Sequence, residues 1–439
     1  MNLNYVGSVA ERFMKFRSSL ASTETIDLNI FNNLSIYIPK SLASDNLAED
    51  AYDASAVTAE KYAVITVTVD NYNSVLKAGG ALLSQWSKVF NDGVNSNITI
   101  YLIVFDDTEF ASDVTATGIT WAPLTKAFNE LYFISCFKTM FDTDYTCGSS
   151  VEASNYADLV LCLSSLCANE STLSVCLVEV KVTVPESAKS ADENACKVLS
   201  LTRGDETSHC TTLAGTDKAD RAKYLWGYIN FLGGSHTWLI IHNGTFMFPI
   251  VLGKWFEAKN SSGQFVGNKL AKIRLSGSDV KPTGLPSPLN SDVNQNLISA
   301  WYDNLDAKNV GYFISISDNT ENNAELTRER TVENFPVTAY LISKWIDYNA
   351  SQNLANYATS VATLTKPVLA NEATYSYIQS LVQSTINTFG TIGRLRNVAL
   401  NFPPYSEAKV GNGFKGTAVW SATYVDDLES VEISGSVSF

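Results

Sequence analysis

The eight residues Ile98-Thr-Ile-Tyr-Leu-Ile-Val-Phe105 decide the fold more than any other run, because only Thr99 among them is neither apolar nor aromatic. A near-continuous apolar run of this length is typical of a strand that is covered on both faces of a sheet. A β-branched run over residues 62–69 precedes it, and the apolar residues between the two runs repeat at helical spacing. Strand, helix and strand in this order predict a βαβ unit with parallel strands and a right-handed crossover. We therefore expect a βαβ-containing domain over residues 61–135.

The length and the charge of the chain limit its class. Its 439 residues are too many for one core and 45% of them are hydrophobic, so several folded domains are expected. The net charge of −14 and the pI near 4.7 argue against nucleic acid and against an anionic membrane surface as partners. The start Met1-Asn-Leu-Asn-Tyr5 lacks the basic and apolar run of a signal peptide. We expect a soluble protein that is made in a cytoplasm.

Changes in composition and periodicity divide the chain into six predicted segments, and the predicted fold class is α/β and α+β, multidomain. The segments, in chain order, are an N-terminal arm with strands (1–60), the βαβ domain (61–135), a cysteine-containing outer domain inserted into the chain (136–276), a linker rich in Gly, Pro and Ser (277–291), a C-terminal α+β core domain (292–425) and a C-terminal strand arm (426–439).

The cysteines are confined to one stretch of the chain. They are Cys136, Cys147, Cys162, Cys167, Cys176, Cys196 and Cys210. A metal site usually shows paired CxxC or CxxH spacings, which this stretch lacks, and the odd count argues against a full disulfide framework. The favoured interpretation is that these residues are small buried apolar side chains of one domain.

Catalytic chemistry has little support in the sequence. None of the three histidines, His209, His236 and His242, lies in a recognisable nucleophile–base or metal-ligand spacing. The motifs HExxH, GxxxxGK[ST] and GxSxG do not occur, although carboxylates are plentiful enough to leave a two-carboxylate hydrolase open. We predict no catalytic residue, no metal ligand and no cofactor, and we do not expect an enzyme.

The last nine residues, Val431-Glu-Ile-Ser-Gly-Ser-Val-Ser-Phe439, alternate between apolar and polar positions. The set Val431, Ile433, Val437 and Phe439 shares one face with Gly435, which predicts a half-buried strand. A chain end that is a complete strand needs a sheet to join, because an unpaired strand is a template for aggregation. The sheet of its own domain and the sheet of a neighbouring copy both remain open as hosts.

Several stretches, taken in order, resemble a contractile phage tail sheath protein. The unit over residues 62–105, with Phe90-Asn-Asp-Gly93 before its second strand, looks like a helix, turn and strand segment of the sheath domain. Residues 305–316 are similar to the helix and Asn-led strand that open the sheath C-terminal domain. The amphipathic helix over residues 375–389, the strand around Trp420 and the alternating tail complete the likeness.

The resemblance implies a mechanical role that needs no cofactor. In sheath proteins, the N- and C-terminal arms add strands to the sheets of neighbouring subunits and so link them into a mesh. For this chain, the resemblance implies an inter-subunit strand at the C-terminal arm (Val431, Ile433, Val437, Phe439), a second one at the N-terminal arm (Ile26, Leu28, Ile30) and a hinge at Asp426 and Asp427.

The resemblance also implies the partners and the location. The chain is expected to bind copies of itself in hexameric rings that stack helically around a tail tube protein, and to meet baseplate and tail terminator proteins. It would lie in the virion tail after assembly in the host cytoplasm, and contraction would drive the tube through the host envelope. The alternatives are another self-assembling virion protein (tail tube, baseplate or fibre-associated) and a carboxylate-based hydrolase.

Overall fold

The structure is a computed structural model of the chain. It describes residues 30–93, 98–107, 113–142, 155–169, 174–181, 210–242, 245–257, 274–277, 280, 303, 305–315, 323–363, 371–391, 394–411, 413–425 and 430–438. The described residues belong to two compact units, one within Leu28–Val337 and one within Thr338–Phe439. No helix in these ranges is both long enough and apolar enough to cross a membrane.

The first unit contains eleven of the described strands and most of the short helices. Its strands are β1 (Asn33–Pro39), β2 (Tyr62–Val67), β3 (Thr99–Phe105), β4 (Asp113–Val114), β5 (Ile119–Thr120), β6 (Phe137–Met140), β7 (Val175–Lys181), β8 (Thr237–His242), β9 (Arg274–Ser276), β10 (Phe313–Ser315) and β11 (Asn323–Leu326). Its helices are α1 (Lys40–Asn46), α2 (Ala54–Glu60), α3 (Tyr72–Val75), α4 (Ala81–Trp86), α5 (Ala122–Leu131), α6 (Tyr156–Cys167), α7 (Lys218–Lys223), α8 (Leu225–Gly233) and α9 (Phe248–Glu257).

A six-stranded sheet with the order β2-β3-β1-β6-β7-β8 forms the centre of the first unit. The pairs β1–β3, β1–β6, β6–β7 and β7–β8 are parallel. Helix α6 connects β6 to β7, and helices α7 and α8 lie between β7 and β8, so the chain does contain parallel strands joined by helices. The predicted α/β class with a parallel sheet is confirmed.

The predicted βαβ unit over residues 61–135 is wrong in its strand direction. Strand β2 runs antiparallel to β3, with Tyr62 opposite Phe105, and the parallel neighbour of β3 is β1. Apolar periodicity reports which residues are buried, but it does not report which way a neighbouring strand runs. The parallel pairs are β1–β3 and, further along the chain, β1–β6, β6–β7 and β7–β8.

Strand β1 also departs from the prediction, because the sequence places it in an N-terminal arm. Instead it is the third strand of six, and all of its residues are buried. The hydroxyl of Ser35 shares a hydrogen bond of 2.6 Å with that of Ser135, which satisfies a polar group inside the sheet. Residues 33–39 are therefore part of the core.

The cysteine-bearing stretch contributes to the same core. Five of its cysteines, Cys136, Cys162, Cys167, Cys176 and Cys210, are free thiols and are buried, which confirms the sequence interpretation for these five. The stretch supplies β6, α6 and β7 to the central sheet, so its described part is not an outer domain. Cys147 and Cys196 lie outside the described residues.

One buried ion pair joins α6 to α7. The guanidinium of Arg221 donates to both oxygens of Asp158, at 2.6 Å and 2.9 Å, and the two residues are 3% and 1% exposed. The hydrogen bond from Arg221 to Asp158 is the main cause of the raised pKa of Arg221. Because the guanidinium contacts both carboxylate oxygens, the pair fixes the relative orientation of the two side chains as well as pairing their charges.

The second unit begins at a long helix rather than at the predicted boundary near residue 292. Residues 305–337 belong to the first unit, where the N–H of Gly311 donates to Leu239 and the N–H of Val332 donates to Thr237, both at 2.9 Å. The elements of the second unit are α10 (Val337–Thr363), α11 (Glu372–Thr391), β12 (Leu395–Asn401), α12 (Tyr405–Ala408), β13 (Lys409–Val410), β14 (Gly413–Phe414), β15 (Thr417–Val425) and β16 (Ser430–Ser438).

Aromatic and polar contacts hold α10 against α11. The rings of Trp345 and Phe389 meet edge to face, with centroids 5.0 Å apart, and the amide of Asn353 donates to the hydroxyl of Thr385 at 3.1 Å. The buried side of α11 includes Ile378, Val382 and Ile386, at the spacing that the sequence predicts for an amphipathic helix.

Candidate functional site

The C-terminal strand β16 pairs with β15 of the same chain. The two strands are antiparallel over their whole length, with Val431 opposite Tyr424 and Val437 opposite Ala418. The sheet order is β12-β15-β16, so among the described residues β16 is an edge strand and β12 is the other edge. We define β15 together with Asp347 of α10 as the strand seat, since these are the parts that hold β16.

The strand seat presents one buried face. Along β15, Ala418, Trp420, Ala422 and Tyr424 are buried. Val419 between them is exposed, Ser421 is half-buried, and Thr423 near the end of the strand is buried as well. This alternation follows from the strand period of two, and it places the largest side chain of the set, Trp420, in the middle. Trp420 is fully buried, although its indole N–H needs a hydrogen-bond acceptor.

The acceptor for Trp420 is the carboxylate of Asp347. The indole nitrogen donates to Oδ1 of Asp347 at 2.8 Å, and Gly435 of β16 lies directly opposite Trp420 in the register. A Cβ added to Gly435 would come within 3.0 Å of Asp347 Oδ1, Trp420 Nε1 and Trp420 Cε2, the last at 2.8 Å. The tryptophan, the aspartate and the glycine thus form one tightly packed contact.

The carboxyl of Asp347 titrates in an accessible range. Burial raises its pKa to about 6, although the Trp420 hydrogen bond and the nearby Lys344 lower it. The charged form is therefore less favourable in the folded unit than in the unfolded chain, where the pKa of an aspartate is about 3.9.

The substitution Asp347→Asn should flatten the pH dependence of the second unit. Between about pH 4 and about pH 6 the folded unit binds a proton that the unfolded chain releases, so its free energy of unfolding falls as pH rises through this window. An asparagine at this position would keep an acceptor for Trp420 but would not titrate. Urea unfolding of both proteins across this range measures the slope, and identical slopes would refute the assignment.

Strand β12 forms the opposite edge of the sheet. Its pairing with β15 shifts between Arg396 and Ala399, and Asn397 within this bulge has a positive φ of 51°. The amide of Asn397 donates to the hydroxyl of Thr423 at 3.2 Å, which anchors the bulge. A bulge bends an edge strand and limits unwanted pairing.

The other residues predicted for inter-subunit contacts fall mostly outside the described part of the chain. Ile26, Leu28, Asp426, Asp427 and Phe439 are not described. Ile30 begins a short 3₁₀ turn, Ile30–Asn32, rather than a strand. The structure thus brings Val431, Ile433 and Val437 together on one strand, and the sequence missed Asp347 as the residue of α10 that faces it.

Of the described carboxylates that a hydrolase could use, Glu179 and Asp347 are both engaged in structural contacts. Glu179 on β7 accepts the backbone N–H groups of Met247 and Phe248, the latter at 3.0 Å, and burial raises its pKa to about 8. The carboxylate of Asp347 accepts the indole N–H of Trp420. Both carboxylates serve as structural acceptors, and no group of three His, Cys, Asp or Glu side chains within the described ranges could hold a metal ion.

Two solved structures of sheath tail proteins are similar to this chain. A sheath tail protein from Listeria innocua matches 99% of this chain and 98% of its own, with 11% identity and a TM-score of 0.37. A second, from Desulfitobacterium hafniense, matches 95% of this chain and 98% of its own, with 10% identity and a TM-score of 0.41. No family model and no curated protein matches the sequence. Because both TM-scores are below 0.5, the function proposed below rests on the chain's own residues.

Proposed function

We propose that this protein is a structural subunit of a contractile phage tail sheath. The observation that carries the proposal is the C-terminal strand itself. Strand β16 extends to Ser438, it lies at a sheet edge, and its nine residues pair fully with β15. The sequence resemblance to sheath proteins over the segments around residues 62–105, 305–316 and 375–389 supports the same conclusion.

An edge strand can be exchanged between identical copies at little cost. The strand of a neighbouring copy offers the same residues to β15, so the pairing of residue 435 with Trp420 would be the same within one chain and between two. Residues 426–429, which include the proposed hinge Asp426 and Asp427, connect the two strands. In the polymer, we expect this connection to extend so that Val431, Ile433, Val437 and Phe439 join the sheet of a neighbour.

The remaining contacts of the proposed assembly also rely on the addition of a strand to the sheet of another copy. A second arm strand at Ile26, Leu28 and Ile30 would add to another copy, since addition of a strand to a sheet edge needs only free backbone groups. The linked copies would form hexameric rings that stack around a tail tube, between a baseplate and a tail terminator protein. Contraction would then repack the subunits without separating them, and no cofactor is required.

Deleting residues 431–439 should abolish polymerisation while the first unit stays folded. The deletion removes the strand that would link copies, whereas the six-stranded sheet lies in the other unit. Electron microscopy of concentrated full-length protein should show helical tubes, and the deletion variant should show none. Circular dichroism and hydrogen exchange of both proteins report whether the units remain folded.

Three results would overturn this function. Tubes formed by the deletion variant that match those of the full chain would show that the strand links nothing. Loss of the folded second unit on deletion, with no polymer formed by the full chain, would show that the strand serves only its own domain. Full-length assemblies that are thin tubes or plates would favour a different virion protein.

A further inference from the structure

The sizes of facing residues in β15 and β16 are complementary at the three central buried positions of β15. Ala418 faces residue 437, a valine, and Ala422 faces residue 433, an isoleucine, while the large Trp420 faces a glycine. Each small residue is thus opposite a branched one, and the largest residue is opposite the smallest. This match exists in one register only.

The alternation of β16 alone would not select that register. A shift by one residue moves the whole apolar set to the other face, but a shift by two keeps every apolar residue on the same face. Such a shift would put Ile433 or Val437 opposite Trp420. The space there does not admit even one Cβ, because Asp347 and Trp420 occupy it.

We propose that Trp420 and Asp347 form a recognition notch that selects a glycine at position 435 of β16. The notch binds an extended peptide with the pattern branched residue, any residue, glycine, any residue, branched residue, and its occupant is the segment Ser430–Ser438 of this protein. Asp347 fixes the position of the indole through its hydrogen bond, so the notch keeps its shape. The notch acts in the same way whichever copy of the chain supplies the strand.

The test measures hydrogen exchange of the amides in residues 430–438 of the full-length protein. Gly435→Ala should lower their protection by roughly tenfold to a hundredfold, because overpacking a tight contact is costly. The matched control is Ser436→Ala, since position 436 lies opposite the half-exposed Val419 and its change adds nothing to the notch. The control should change protection by less than about threefold.

If Gly435→Ala loosens the whole second unit, the same substitution made in a Trp420→Phe variant still tests the notch. Trp420→Phe removes the indole atoms that a Cβ at position 435 would meet, and it frees the third atom, Oδ1 of Asp347, from the hydrogen bond that holds it there. In that background, Gly435→Ala should cost far less protection than it does beside Trp420. The notch is refuted if Gly435→Ala and Ser436→Ala have equal effects, or if the cost of Gly435→Ala is the same with Phe as with Trp at position 420. Amides of the six-stranded sheet serve as the internal reference.

Discussion

Replacing Trp420 by Ala is expected to lower the free energy of unfolding of the second unit by about 3–5 kcal/mol, the range for removing a large buried aromatic side chain. Trp420 is fully buried in the middle of β15. The substitution leaves a cavity between the sheet and Asp347, and it removes the N–H that Asp347 accepts at 2.8 Å. A buried carboxyl without this donor adds its own penalty.

The neighbouring residue Val419 provides the control for this substitution. Val419 is 50% exposed on the same strand, so Val419→Ala should change the stability by no more than about 0.5 kcal/mol. Urea unfolding, followed by hydrogen exchange within residues 338–438, separates the second unit from the first. A loss for Trp420→Ala as small as that for Val419→Ala would mean that the strand seat is not a stabilising core.

Replacing Arg221 by Met is expected to destabilise the first unit by about 3–5 kcal/mol, because it leaves the carboxylate of Asp158 buried without its charge partner. Both side chains are almost fully buried, and the pair joins α6 to α7 beside the central sheet. Chemical denaturation of the full chain, read by exchange of the amides in β6, β7 and β8, measures the loss.

A double variant tests whether the loss comes from the unpaired charge. Asp158→Leu combined with Arg221→Met removes both charges and fills the space with apolar atoms, which is often close to neutral. We therefore expect the double variant to recover most of the stability that the single variant loses. Equal destabilisation of the single and the double variant would show that packing, not charge, dominates this site.

The sequence predicts those strands and helices that the pattern of buried residues alone specifies. The run over residues 98–105 becomes the buried strand β3, and the helix expected around residues 375–389 is α11. The direction of β2 and the central place of β1 could not be predicted, since both depend on partners distant in sequence. Ser35, for example, is satisfied inside the sheet by Ser135, which lies 100 residues away.

The candidate site, too, can be predicted from the sequence only in part. The alternation of residues 431–439 predicts a strand, and a glycine within such a strand signals a close approach of other atoms. The sequence does not say which atoms approach. Trp420 and its acceptor Asp347 are 73 residues apart and lie on a strand and a helix, so only the folded unit reveals the contact with Gly435.

The most direct test of the proposed strand exchange is a cross-link between β15 and β16 in assembled particles. Val419 and Ser436 lie directly opposite each other in the register, and Val419 is half exposed. Residues so placed in an antiparallel pair have Cα atoms about 4.5–5.5 Å apart, which suits a disulfide. The full chain carrying Val419→Cys and Ser436→Cys should, after assembly and mild oxidation, run as a ladder of linked chains on a denaturing gel. The same protein kept as a monomer should link only within itself. Assembled particles that yield only internally linked single chains would contradict a C-terminal strand shared between subunits.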